Sequence, residues 1–199
     1  MTPPARVLPP DAEVAALLPG ARRDDSRGGP LDLAAAALLE PDPHHERARL
    51  VTRGFVDGCA RWWDAPRVTA QMTVLRLGGD DQAALSVLDV RDTMEAAGMS
   101  VSAPGRRTTA MIRSGAPISA HTNVQASFVD QIICAQMDSD REDDIAVATA
   151  AVGPLHLIAV VAVEPDGEPG GSALPLAVAL IQIAGARATG ASGGSGPDR

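Results

Sequence analysis

The 199-residue sequence has no lysine and no tyrosine, and its aromatic side chains amount to two phenylalanines and two tryptophans. All 17 basic residues are therefore arginine, set against 25 acidic ones, for a net charge of −8. These scarcities argue against nucleic acid as a partner, because both phosphate-neutralising charge and stacking platforms are in short supply. Without lysine there is no Walker-type phosphate loop, and Gly78-Gly79 ahead of Asp80-Asp81 reads as a strand-to-helix turn that would repel a phosphate. Cysteine is nearly as scarce. Cys59 and Cys134 stand far apart in the chain, so neither belongs to a CxxC metal or redox pair. They permit either one long-range disulfide or two buried thiols.

Histidine occurs at four positions, His44, His45, His121 and His156. Adjacent loop histidines such as His44-His45 diverge and would need further donors to hold a metal, so no metal or other cofactor is expected. His121 and His156 sit in strand-like surroundings and read as structural histidines with satisfied ring nitrogens. The acidic run Asp138–Asp144 lacks the glycine and the distal glutamate of a calcium loop and reads as a solvated loop.

No basic segment followed by an apolar stretch opens the chain, so it does not start with a signal peptide. Either the protein is cytoplasmic or the chain begins after a leader. Ile145 to Val163 is free of charged residues and about the length of a short membrane span. It is broken by Gly153-Pro154 and flanked by acidic residues, which favours a β-hairpin over a transmembrane segment.

Regular structure is expected in a single α+β domain over residues 11–189, with residues 1–10 and the Gly/Ser-rich 190–199 as disordered ends. Asp11 to Leu18 and Asp32 to Glu40 read as short helices, and His44 to Val51 as a turn or the approach to a strand. Arg67 to Leu77 alternates Val68, Ala70, Met72 and Val74 with polar residues, as a half-buried strand does. Arg53 to Trp63 would be its hairpin partner across the turn at Asp64-Ala65-Pro66. A helix from Asp80 or Asp81 to Ala97 places Ala83, Val87, Val90, Met94 and Ala97 on one stripe, stopped by Gly98.

The order then recurs. Phe55-Val56-Asp57 near Cys59 has a counterpart in Phe128-Val129-Asp130 near Cys134, followed by strands from Ile145 to Val152 and Leu155 to Val163 and a helix from Ala173 to Arg187. Residues 139–152 also fit a helix capped by Ser139, although β-branched residues alternating with alanine favour the strand. The expected fold is α+β, an antiparallel sheet with helices packed on one face. It would be built from two related strand-strand-helix units at about 53–98 and 117–189.

Both tryptophans fall together at Trp62-Trp63, and on a strand their rings point to opposite faces. One can enter the core while the other lines a surface for an apolar ligand or a partner. The alternative is that both are packed under helices.

The stretches GFVDGCARWW, RVTAQMTVLRLGGDDQAALSVLDV and IAVATAAVGPLHLIAVVAVEP, each in this order of elements, give the chain a resemblance in pattern to actinobacterial cell-envelope lipoproteins and secreted sensor-like domains. The extracellular domains of mycobacterial receptor kinases are among these. The resemblance runs from about Asp11 to Arg187 and implies an envelope or extracellular location, ligand sensing and no catalysis. A lipobox cysteine and a second cysteine pair, which such domains often carry, are missing.

The resulting expectation is a non-enzymatic binding or sensor-like domain that meets a small molecule, a lipid or a protein, with Trp62 and Trp63 as candidate ligand contacts. Two alternatives stand beside it. One is a cytoplasmic structural or accessory protein that oligomerises through its sheet. The other is a small thiol-dependent enzyme using Cys59 or Cys134 with His121.

Overall fold

The computed structural model describes residues 2–96, 100–102, 133–136, 144–164 and 173–190. Two antiparallel hairpins form the middle of the molecule. Strands β3 (Asp57–Ala65) and β4 (Val68–Arg76) make the first, turning at Pro66-Arg67, and β7 (Asp144–Val152) and β8 (Leu155–Val163) make the second. The second hairpin turns at Gly153-Pro154, where Gly153 takes a φ of 55° that a side chain would resist. Residues 144–152 are thus strand, and the helical reading of that segment falls away.

The hairpins join through β4 and β8, pairing in register from Val68 with Val163 to Arg76 with Leu155. Short strands complete the sheet. β1 (Arg22–Arg23) and β2 (Gly29–Leu31) both pair with β3, while β6 (Ile133–Gln136) extends β7 and β5 (Ser100–Ser102) extends β6. The order among the described strands is β1-β3-β4-β8-β7-β6-β5, all antiparallel.

Alternation along the strands gives the sheet two faces of different character. On the first, Cys59, Val74, Leu157 and Ala150 lie in one row across four strands and Trp63, Ala70, Val161 and Ala146 in another, all buried. Helices α1 (Pro4–Val7), α2 (Asp11–Leu17) and α6 (Ala173–Ala188) cover this face, contributing Val7, Val14, Leu174, Ala177, Val178, Leu180 and Ile181 to its core, together with Leu8 just after α1. The alanines at 146, 148, 150 and 159 leave room for α6 to lie close to the strands.

The second face carries α3 (Leu33–Ala37), α4 (Pro43–Thr52) and α5 (Asp80–Ala96), whose Ala36, Leu50 and Ala83 pack on Leu75 and Leu77 in a separate, smaller cluster. Ala83, Val87 and Met94 of the expected stripe on α5 are buried.

The α+β class with an antiparallel sheet is what forms, and three finer expectations are corrected. Helices cover both faces, α6 on one and α5 on the other. Antiparallel neighbours such as β4 and β8 are related by an axis normal to the sheet, and such an axis would keep their following helices on one face. The two strand-strand-helix successions therefore differ in where the helix goes. Residues 1–10 hold no free end where they are described, because Val7 and Leu8 are completely buried in the first core. His44 to Val51 is neither turn nor strand but part of α4, with Pro43 at its start and the Asp42 carboxylate accepting from the backbone N–H groups of His44 and His45. The Phe128-Val129-Asp130 counterpart and His121 with its strand-like surroundings lie outside the described residues.

Candidate functional site

Trp62 and Trp63 separate as strand geometry requires. Trp63 is 1% exposed in the first core, and its indole Nε1–H donates to Asp11 Oδ1 at 3.0 Å, fixing the start of α2 to β3. The Asp11 carboxylate also faces Arg23 at 3.4 Å. Only Trp62 reaches toward a surface. It belongs to a row across the second face made of Trp62, Gln71, Val160 and Val147, all half-buried. The next row outward, Asp64, Thr69, Ala162 and Ile145, is exposed on its first two strands and half-buried on the others. Gln71 Nε2–H donates to Thr73 Oγ1 at 3.0 Å, so the amide lies flat along its strand beside the indole. An aromatic ring bordered by branched aliphatic side chains and one amide suits an apolar or weakly polar occupant.

The opposite end of this face is polar, buried and closed over. His156 is completely buried, with its Nδ1 2.9 Å from Ser86 Oγ and its Nε2 2.7 Å from Thr149 Oγ1. The surrounding bonds fix the tautomer. Thr149 Oγ1–H donates to the Leu157 carbonyl at 3.1 Å, so this oxygen accepts the ring's Nε2–H. Arg49 Nη1–H donates to Ser86 Oγ at 2.5 Å, and Ser86 turns its own proton to His156 Nδ1. The imidazole is neutral, its pKa lowered to about 3 by burial first and by the Arg49 charge second, with Asp89 opposing.

Arg49 in turn grips Glu46 by two bonds of 2.6 Å, and both side chains are largely buried. One turn further on, Arg53 forms a two-bond pair with Asp89 at 2.8 Å, which joins α4 to α5. Arg53 holds the Asp89 carboxyl below its ordinary range. Sequence reasoning singled out none of Glu46, Arg49, Ser86, Asp89 or Thr149. Asp42-Pro43 followed by Glu46 was the available signal for α4, a cap, a first-turn proline and a first-turn acid.

The cysteines do not meet. Cys59 lies on β3 and Cys134 on β6, with β4, β8 and β7 between them. Four inter-strand steps amount to about 19 Å, against the roughly 4.4–6.8 Å that a disulfide spans between Cα atoms. The disulfide within one chain is thereby ruled out, and Cys59 is a free, buried thiol whose pKa burial pushes up, which suppresses the nucleophilic thiolate. Among the described residues, no group of three or more His, Cys, Asp or Glu side chains could hold a metal ion. None of the described helices is long and apolar enough to cross a membrane.

The architecture is that of an α+β domain whose antiparallel sheet carries helices on both faces. It is shared, over 95% of this chain and 97% of the other, with the extracellular domain of PknH from Mycobacterium tuberculosis, at a TM-score of 0.56 and 11% sequence identity. At that identity the likeness is one of fold. No protein-family model matches the chain, and no curated protein matches it either.

Proposed function

We propose that the chain is a non-enzymatic, sensor-like binding domain of the cell envelope or the extracellular space, and that it receives an apolar ligand on the sheet face around Trp62. The observation that carries this reading is the row Trp62, Gln71, Val160 and Val147, half-buried on a face whose other end is closed by α3–α5. The fold shared with the extracellular domain of PknH over nearly the whole chain supports the placement outside the cytoplasm. Cys59, buried and with its thiolate disfavoured, speaks against the thiol-enzyme alternative.

The chain has two tryptophans, so Trp63→Phe leaves Trp62 as sole reporter. Titrating this variant with sodium laurate, below its micelle concentration, should give a saturable blue shift of the Trp62 emission. The further change Trp62→Ala, followed by laurate binding in a calorimeter, should weaken binding at least tenfold. Emission that never saturates, or binding that survives Trp62→Ala, would overturn the assignment. A concentration-dependent rise in mass abolished by Trp62→Ala would overturn it in favour of a sheet-mediated oligomer.

A further inference from the structure

The buried polar end of the second face has a property separate from any ligand at Trp62. We propose that α4 is a proton-released lid, closed over His156 at neutral pH and lifting from α5 and the sheet in mildly acidic solution as His156 takes up a proton.

The argument starts from the closed geometry. Both ring nitrogens of His156 are committed, Nε2–H donating to Thr149 and Nδ1 accepting from Ser86, whose oxygen already accepts from Arg49. A second ring proton on Nδ1 would meet the Ser86 proton head-on, beside a guanidinium and shut off from bulk solvent. The closed state therefore excludes the imidazolium.

Beyond α5, whose Ser86 bonds the ring directly, what closes the site is α4. Its Arg49 supplies the cation that orients Ser86, and its Leu50, fully buried, packs in one cluster with Leu75, the cross-strand neighbour of His156. The charged groups around His156 are Glu46 and Arg49 from α4, Arg53 at its C-terminal cap and Asp89 from α5, with Glu40, which Glu46 and Arg49 act on, just before α4. Among the described residues, the strands on either side place Leu75 and Ala151 across from His156 and bring Thr149 to its ring, none of them charged. When α4 lifts, Arg49 leaves with it and water enters to solvate the new imidazolium.

The attachment of α4 is also the kind that opens locally. Leu50 is its only fully buried apolar side chain, and apart from its packing on α3 and the bond from the Gly78 N–H to the Arg53 carbonyl at 3.0 Å, it is tied down by the bonds of Arg49 and Arg53 to Ser86 and Asp89, the latter partly exposed. Helix α6, in contrast, is buried along most of its length in the larger core. Local openings are drawn from elements with few buried contacts.

The linkage sign follows. A histidine at its ordinary 6.5 when open and near 3 when closed gives the open state the extra proton between those values. The stability of the closed state has its full value above pH 6.5 and falls as pH drops below it. Between pH 7 and pH 5 the opening constant should rise by about 25-fold.

Amide hydrogen exchange of the whole chain at pH 7 and pH 5, corrected for the intrinsic exchange rates, tests this. The α4 amides should lose protection by about 25-fold while the α6 amides hold theirs, and His156→Gln should flatten the dependence. Glutamine can still accept from Ser86 and donate to Thr149. A flat wild-type profile, an equal loss in α4 and α6, or an unchanged slope in His156→Gln each overturns the lid. Should that variant not fold, the ring nitrogen spectrum of the wild type decides. The neutral Nε2–H tautomer in the protected state at pH 5 upholds the proposal, and an imidazolium in that state refutes it.

Discussion

The Arg49 site gives the sharpest energetic test of how α4 is held. Glu46 and Arg49 lie one turn apart on α4 with side chains 9% and 12% exposed, joined by two bonds of 2.6 Å. Truncation by Arg49→Ala leaves a carboxylate with little access to water and takes from Ser86 the donor that orients it. Breaking a buried pair from one side costs about 3–5 kcal/mol, whereas an exposed pair on a helix is worth about 0.3–0.5 kcal/mol. The two descriptions of this contact thus differ by a factor of roughly ten. Replacing both partners with apolar residues of similar volume, Glu46→Leu with Arg49→Met, removes both charges together and should cost about 1 kcal/mol or less. Urea unfolding at pH 7, with the slope checked for constancy, measures both variants. The reasoning requires the single truncation to be clearly worse than the double replacement. If Arg49→Ala costs less than about 1 kcal/mol, Glu46 reaches water and the buried-pair account of α4 is wrong.

Two further substitutions probe the first core and the sheet. Trp63→Phe deletes the indole donor to Asp11 while keeping most of the ring, and should cost about 1–2 kcal/mol in the same urea assay; a loss under about 0.5 kcal/mol would mean that the bond contributes nothing to docking α2. At Gly58 an added Cβ would stand 2.9 Å from Leu75 Cδ2, 3.2 Å from the Val74 carbonyl and 3.3 Å from Leu31 Cβ. Gly58→Ala should therefore cost about 1–3 kcal/mol by overpacking, lowering the melting temperature by about 2–4 °C for each kcal/mol. An unchanged melting temperature would show that Leu31 and Leu75 yield freely.

What could be read in advance and what could not divides along physical lines. The hairpin of β7 and β8 was legible because Gly153-Pro154 marks a turn between a run of alanine alternating with β-branched residues, Ile145 to Val152, and the nearly apolar run Leu155 to Val163. The opposite fates of Trp62 and Trp63 follow from strand alternation alone. Pairing of Cys59 with Cys134 was open in the sequence because cysteine counting carries no information on strand order, and the intervening β4, β8 and β7 decide it. Val7 and Leu8 were missed for another reason, since a four-residue helix among prolines is too short to show a period.

The α4 segment was the most consequential loss. Hydrophobic periodicity sees a helix by its apolar stripe, and His44-His45-Glu46-Arg47-Ala48-Arg49 has none, with Leu50 the one apolar side chain it buries completely. Its inner face is instead built from Glu46 and Arg49, two residues that a pattern reading assigns to solvent. His156 was legible as a histidine with satisfied nitrogens, but what satisfies it is a chain of donors that runs from α4 through α5 into the sheet. Polar burial of this kind is costly unless every member is paired, and each link of the Arg49–Ser86–His156–Thr149 chain joins a donor to an acceptor. Such a closed set has a single weak point, the one ring nitrogen that could take a proton from solvent once the helix above it moves. The place where the hydrophobic pattern fails is thus also the place where this fold can respond to its surroundings.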